Sequence, residues 1–137
     1  MRTIHYKPKK VRKKKTPTQL TIQKADRLWS KAILKRDNGI CQKCGKQGNN
    51  PHHIFTRAIK HLRHDMANGI LLCSYCHVFD KESAHMGAEA FRDFLLKWMG
   101  EKKYLALKLS AGMVLKPDYE ISILFLKQFL GVKENNA

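Results

Sequence analysis

Two CxxC pairs bracket the middle of this chain, Cys41-Gln42-Lys43-Cys44 and Cys73-Ser74-Tyr75-Cys76. No other feature restricts the fold as much. Four thiolates complete a tetrahedral shell, so Cys41, Cys44, Cys73 and Cys76 are expected to close the chain on a structural Zn2+. Thiols kept reduced inside a cell read as metal ligands rather than disulfides. The gap between the pairs exceeds the roughly 15–20 residues of a compact four-cysteine finger. Its extra length carries His52-His53-Ile54 and Asn68-Gly69, and His77 follows the last cysteine directly.

The charge balance points to a polyanionic partner. The 137 residues hold 27 Lys and Arg against 11 Asp and Glu, a net charge of +16. Residues 1–15 contain eight Lys and Arg and no acid, among them Arg12, Lys13, Lys14 and Lys15; the remainder is still basic, about +8. DNA or RNA is the simplest partner for such an excess. A charge-rich segment with Pro8 and Pro17 and no apolar periodicity reads as a disordered basic arm over residues 1–20, contacting phosphates. No run of about 20 apolar residues and no signal-peptide core is visible, so no membrane span or secretion is expected. The expected location is therefore cytoplasmic.

Periodicity suggests a small α+β domain that is mostly helical. Ile22, Ala25, Leu28, Trp29, Ala32 and Ile33 recur at helical spacing, giving a helix over 21–36 with Thr21 as its cap. His52 to Phe55 reads as a short strand, and Asn68-Gly69 as a turn into the strand Ile70-Leu71-Leu72. A helix is expected to start at Cys73 and run to Lys81. Residues 57–64 read as a helical turn or an irregular loop. Phe91, Phe94, Leu95 and Trp98 mark a helix over 88–99 with a core-packing face. Further helices are expected over 101–111 and 118–130, the last apolar enough to need burial on more than one side or to leave room for a homodimer contact. The chain thus divides into a basic arm (1–20), a zinc-pinned core (21–100) and C-terminal helices (101–137).

The order of these groups resembles the HNH, or ββα-metal, nuclease superfamily. The residues carrying the resemblance are Cys41-x-x-Cys44, His52-His53-Ile54, Asn68-Gly69-Ile70-Leu71-Leu72 and Cys73-x-x-Cys76-His77, with 15 positions from His53 to Asn68 and 9 from Asn68 to His77. Leu28-Trp29, Arg36-Asp37, Ser83-Ala84-His85, Phe91 and Phe94 look like phage-type members, a group that includes recombination endonucleases. The resemblance implies one catalytic divalent ion, with Mg2+ or Mn2+ favoured over Ni2+ or Zn2+. It makes His52 and His77 ligands of that ion, His53 the general base, and Asn68 the residue that orients the His53 loop. It implies hydrolysis of DNA, double-stranded or branched, with RNA less favoured; a phage-encoded protein would act in the host cytoplasm.

Relatives often carry a third ligand one helical turn beyond the His77 position, where this chain has Lys81. His85 lies about 12 Å from His77 along an ideal helix. It reaches the same ion only if the helix breaks around Glu82–Ser83. Asp80 turned inward, or a two-ligand ion completed by water and phosphate, are the alternatives, and His85 is favoured over Asp80. Arg57, Lys60 and Arg63, between the strands, are candidate phosphate clamps. His61 and His64 are expected at the surface or facing DNA. A non-catalytic zinc-knuckle protein binding DNA or RNA would explain the cysteines and the charge. It would not explain two adjacent histidines, an asparagine and a histidine at these spacings.

Overall fold

The structure, a computed structural model, describes residues 8–133. It is the small α+β fold expected, with one long helix, a two-stranded sheet, a zinc-knuckle hairpin and three shorter helices. The acid-free run at residues 1–7, with His5, lies outside the described residues.

Helix α1 spans Pro17–Arg36. It starts four residues before the sequence suggested, because the cap is Thr16 rather than Thr21. The Thr16 hydroxyl accepts from the Gln19 amide and the Gln19 side chain accepts from the Thr16 amide, a full capping box. Pro17 occupies the first helical turn, where its missing N–H costs nothing. It therefore begins the helix rather than interrupting the chain. Residues 17–20, assigned to the arm from sequence, belong to α1. Residues 8–15 have no regular structure and are exposed. Asp37, Asn38 and Gly39 end the helix, the last two with positive φ.

Strands β1 (Asn50–His53) and β2 (Gly69–Leu72) pair antiparallel, with His52 opposite Ile70 and His53 opposite Gly69. All four β2 residues are buried. Ile70 and Leu72 join Cys41, Cys76, Phe91, Leu95 and Tyr104 in one cluster. Leu71 joins Trp29, Ala32, Ile33 and Leu126 in another. Side chains alternate across a strand, so β2 is a wall between two small cores. Gly69 is extended (φ −130°). It is glycine because a Cβ there would lie 2.5 Å from Ile33 Cδ1 and 2.7 Å from Trp29 Cζ2. The Asn68-Gly69 pair is therefore a close-approach site and not the turn its sequence suggested.

Helices α2 (Ala88–Met99) and α3 (Glu101–Ala111) pack on one face of β2, and α4 (Tyr119–Leu130) packs along α1. Their boundaries follow the sequence periodicity. Phe91 and Leu95 enter the core as expected. In helix α4 only Ile123 and Leu126 are buried, while Ile121, Leu124 and Phe125 are exposed, so the expected burial on more than one side does not occur within the described residues. The expected helix after Cys73 shrinks to one π-helical turn, Tyr75–Phe79. No helix among the described residues is long and apolar enough to cross a membrane.

Candidate metal centres and active site

Four sulfurs converge at the knuckle. The ligand atoms of Cys41, Cys44, Cys73 and Cys76 all lie within 4.8 Å of one another. Cys44 Sγ and Cys73 Sγ are 3.7 Å apart, far longer than a disulfide. It is close to the roughly 3.8 Å between ligands of a tetrahedral zinc with Zn–S near 2.3 Å. The thiols do not share charge evenly. Burial opposes ionisation of Cys41, but amide donors from Cys73, Cys44 and Lys43 override it and bring the group down to about 7. Burial and the neighbouring sulfurs push Cys76 well up, and burial also raises Cys44. A divalent cation resolves that conflict, since it lets all four ionise together. The four-cysteine cluster fits a structural zinc.

The second cluster forms on the other side of Cys76. Ligand atoms of His52, His77 and His85 lie within 4.8 Å of one another. His77 Nε2 and His85 Nε2 are 3.0 Å apart. Two imidazole nitrogens that ligate one ion at about 2.0–2.1 Å come to such a separation. His85 gets there because the helix does break, though earlier than the Glu82–Ser83 point that the sequence suggested. The π turn ends at Asp80, whose backbone is extended. The chain then folds back, with the Ala84 and His85 amides donating to the Cys76 and His77 carbonyls. Ser83 fastens this return. It is fully buried, its hydroxyl donates to Val78 O and it accepts from the Met86 amide. Asp80 faces Lys43 instead, at 3.7 Å. Burial holds His52 down to about 3, helped by His77 and His85. Burial and His85 lower His77 as well. Both rings are thus neutral at pH 7, as metal ligation requires.

His53 points to the opposite face of β1, as strand geometry demands. Its ring stacks on Trp29, centroids 3.9 Å apart and planes 8° from parallel. Its Nε2 lies 2.9 Å from the Arg63 carbonyl. A carbonyl only accepts, so Nε2 carries the hydrogen and the neutral ring keeps its lone pair on Nδ1. Burial lowers His53, outweighing the Arg63 carbonyl that raises it, and so favours that neutral state. Both histidines still line one cleft of about 540 Å3, together with Thr56, Arg57, His77 and His85. The larger cleft, about 720 Å3 between Leu62, Trp98 and Leu107, holds none of these histidines.

Asn68 is completely buried and fully bonded. Its Oδ1 accepts from the Phe55 amide at 2.7 Å, and its Nδ2 donates to the carbonyls of Phe55 and Leu62 at 2.9 and 3.2 Å. It closes the loop that leaves His53.

The basic candidates separate. Arg57 sits at the rim of the histidine cleft, and Lys60 is exposed. Arg63 is not a free clamp: its guanidinium holds Asp26 on α1 in a bidentate pair at 2.8 and 2.7 Å. His64 is buried against the same carboxylate at 2.7 Å rather than facing DNA. His61 bonds Ser110 O at 2.8 Å. Arg12 is exposed. Lys13, Lys14 and Lys15 line a shallow cleft with Gln19, Gln23 and Arg63. Sequence reasoning read Trp29 as core and gave Asp26 and Ser83 no role. Their partners lie 37 residues away, or depend on a fold-back, so no local pattern marks them.

Residues 41–81 match the family model for HNH endonuclease. The match covers 41 of the 137 residues and marks an HNH-like segment within the chain. The matched segment contains both CxxC pairs, His52, His53, Asn68 and His77, and stops short of His85. The HNH domain implies a nuclease-type function and a nucleic-acid substrate. No curated protein and no solved structure matches the chain.

Proposed function

We propose that the protein is a metal-dependent HNH endonuclease that hydrolyses DNA phosphodiester bonds. The observation that carries this reading is His53 locked as the Nε2–H tautomer in the cleft where three histidine ligand atoms converge. A knuckle that only binds nucleic acid has no use for a base of fixed tautomer beside a preformed ion site.

His52, His77 and His85 would hold one divalent ion, which would supply positive charge to offset the negative charge developing on the scissile phosphate and its leaving group. His53 Nδ1 takes a proton from the attacking water. The water oxygen bonds phosphorus, the P–O3′ bond breaks, and solvent protonates O3′. The products are a 5′-phosphate and a 3′-hydroxyl. Asn68 keeps the loop from Phe55 to Leu62 closed, so that the Arg63 carbonyl stays under His53. Arg57 at the cleft rim contacts a flanking phosphate, and Lys60 with the Arg12–Lys15 run extends the contact along the backbone. An all-imidazole set suits Ni2+ or Zn2+ best, with Mn2+ below them and Mg2+, which prefers oxygen ligands and retained water, least suited. This shifts the preference from the magnesium that the family resemblance allows.

The absence of a separate specificity element among the described residues favours weakly specific or structure-selective cutting, as in phage DNA processing or recombination in a host cytoplasm. The test is cleavage of supercoiled plasmid and of a branched DNA, with Mn2+, with Mg2+, with chelator, and with His53→Ala. Metal-dependent cutting lost in the variant is the expected result. DNA binding without cutting under every metal would move the protein to the binding class.

A further inference from the structure

One face of α1 holds both the ring of His53 and the group that ring bonds. Asp26 and Trp29 are three positions apart on α1, so they share a face. Trp29 lies flat against His53, 3.9 Å between centroids. The indole is itself fixed, 2% exposed, with Nε1 donating to Asp65 O at 3.0 Å. Asp26 grips the neighbouring stretch of loop through Arg63 and His64, whose bonds to its carboxylate are 2.7–2.8 Å long. The Arg63 carbonyl accepts from His53 Nε2. These two contacts constrain different motions. A flat stack fixes the tilt of the imidazole plane, and an in-plane hydrogen bond fixes rotation within that plane. Strand β2 yields space for the arrangement, since a Cβ on Gly69, opposite His53, would lie 2.7 Å from the indole.

We infer that Asp26 and Trp29 are positioning residues for His53, Trp29 by stacking on its ring and Asp26 by clamping the Arg63–His64 segment beneath it. Neither lies in the segment that matches the HNH family. The site is therefore completed by a helix outside the domain's own motif. The inference rests on reading His53 as the general base, and its test separates the two claims.

The full chain is assayed with Mn2+ on supercoiled plasmid under single-turnover conditions. Trp29→Leu and Asp26→Asn are each expected to slow cleavage by about tenfold to a hundredfold, since a misplaced catalytic group loses rate rather than binding. DNA affinity is expected to stay within about twofold. Trp29→Phe, which keeps an aromatic face, recovers most of the rate. Adding Trp29→Leu or Asp26→Asn to His53→Ala is expected to cost nothing more, because the residues act through His53. A further loss of equal size in that background, or wild-type rates in both single variants, overturns the inference. If Trp29→Leu does not fold, the part-exposed Asp26→Asn carries the cycle. The NMR signals of the His53 ring give a readout independent of cutting. Stacking shifts the ring protons upfield in the wild type, and Trp29→Leu removes the shift. No upfield shift in the wild type overturns the positioning itself. A shifted ring together with full activity in His53→Ala overturns the base assignment while leaving the ring held.

Discussion

His85 donates its amide to the His77 carbonyl at 3.2 Å, and the two Nε2 atoms lie 3.0 Å apart. A fold-back brings together residues that an unbroken helix would hold two turns apart. On the proposed reading, the third ligand thus comes from beyond the break. His85→Ala is expected to weaken binding of the catalytic ion by at least about tenfold, the least that disturbing a metal shell costs. Calorimetric titration with Mn2+ checks this. Lys81→His, one turn beyond His77, is not expected to rescue it, because the turn has ended before residue 81.

Ser83 makes that fold-back permanent. Its buried hydroxyl serves both Val78 O and the Met86 amide. Ser83→Ala leaves both groups without a partner and is expected to cost about 1–3 kcal/mol in unfolding free energy. Because the lost bonds hold the His85 hairpin, ion affinity falls with stability. Urea unfolding with and without Mn2+ measures both. A variant equally stable in each condition, with unchanged affinity, would refute the latch.

What the sequence revealed, and what it hid, follows from the range of the interactions. The CxxC pairs, the His-His pair and the Phe91–Leu95 face are local patterns, so spacing alone marked them. The capping box at Thr16–Gln19 was local too, but it was masked by the lysine run before it. Arg63 looked like a free cation because its partner Asp26 is far along the chain. For α4 the sequence left burial on more than one side and an exposed apolar face both open, since periodicity tells which residues are apolar and not how many neighbours surround them.

Zinc at the knuckle is expected to be a folding requirement. Cys41 and Cys76 are buried in the same cluster as Ile70, Leu72 and Phe91. Cys73→Ser, or strong chelation, removes a ligand set whose binding energy is on the order of 10–16 kcal/mol in small zinc modules. The expected outcome is loss of the cooperative melt. Mass spectrometry under native conditions should find one zinc retained in His52→Ala and none in Cys73→Ser.

The Asp26 network gives stability a pH dependence of definite sign. Burial tends to raise Asp26, but bonds from Arg63 and His64 outweigh it and the carboxyl ends below its ordinary 3.8. Its contribution is complete above 3.8 and is lost as pH falls through the lower folded value. His64 is held below its ordinary 6.5 by burial, which Asp26 only partly offsets. The folded state therefore binds fewer protons than the unfolded chain from about pH 6.5 downward. Both groups weaken the fold in acid, His64 first. Asp26→Asn is expected to flatten the limb below pH 4 in a plot of denaturation midpoint against pH. His64→Gln reduces the limb just below 6.5 without removing it, since His52, His53 and His77 are also held below their ordinary values.

Phosphate contact by the basic run has a quantitative signature. Lys13, Lys14 and Lys15 are exposed, and they lie beside the start of α1. Each phosphate that a lysine neutralises releases about 0.9 of a counterion from duplex DNA. Replacing all three with alanine should reduce the slope of log affinity against log salt by about 2–3 units. The loss of affinity should be the same on unrelated sequences, because backbone contacts carry no base information. Cleavage rate at saturating DNA should be unchanged, since these lysines do not line the histidine cleft. Fluorescence anisotropy over a salt series decides it: an unchanged slope would make the run a solubility segment, and a sequence-dependent loss would make it a reader of bases.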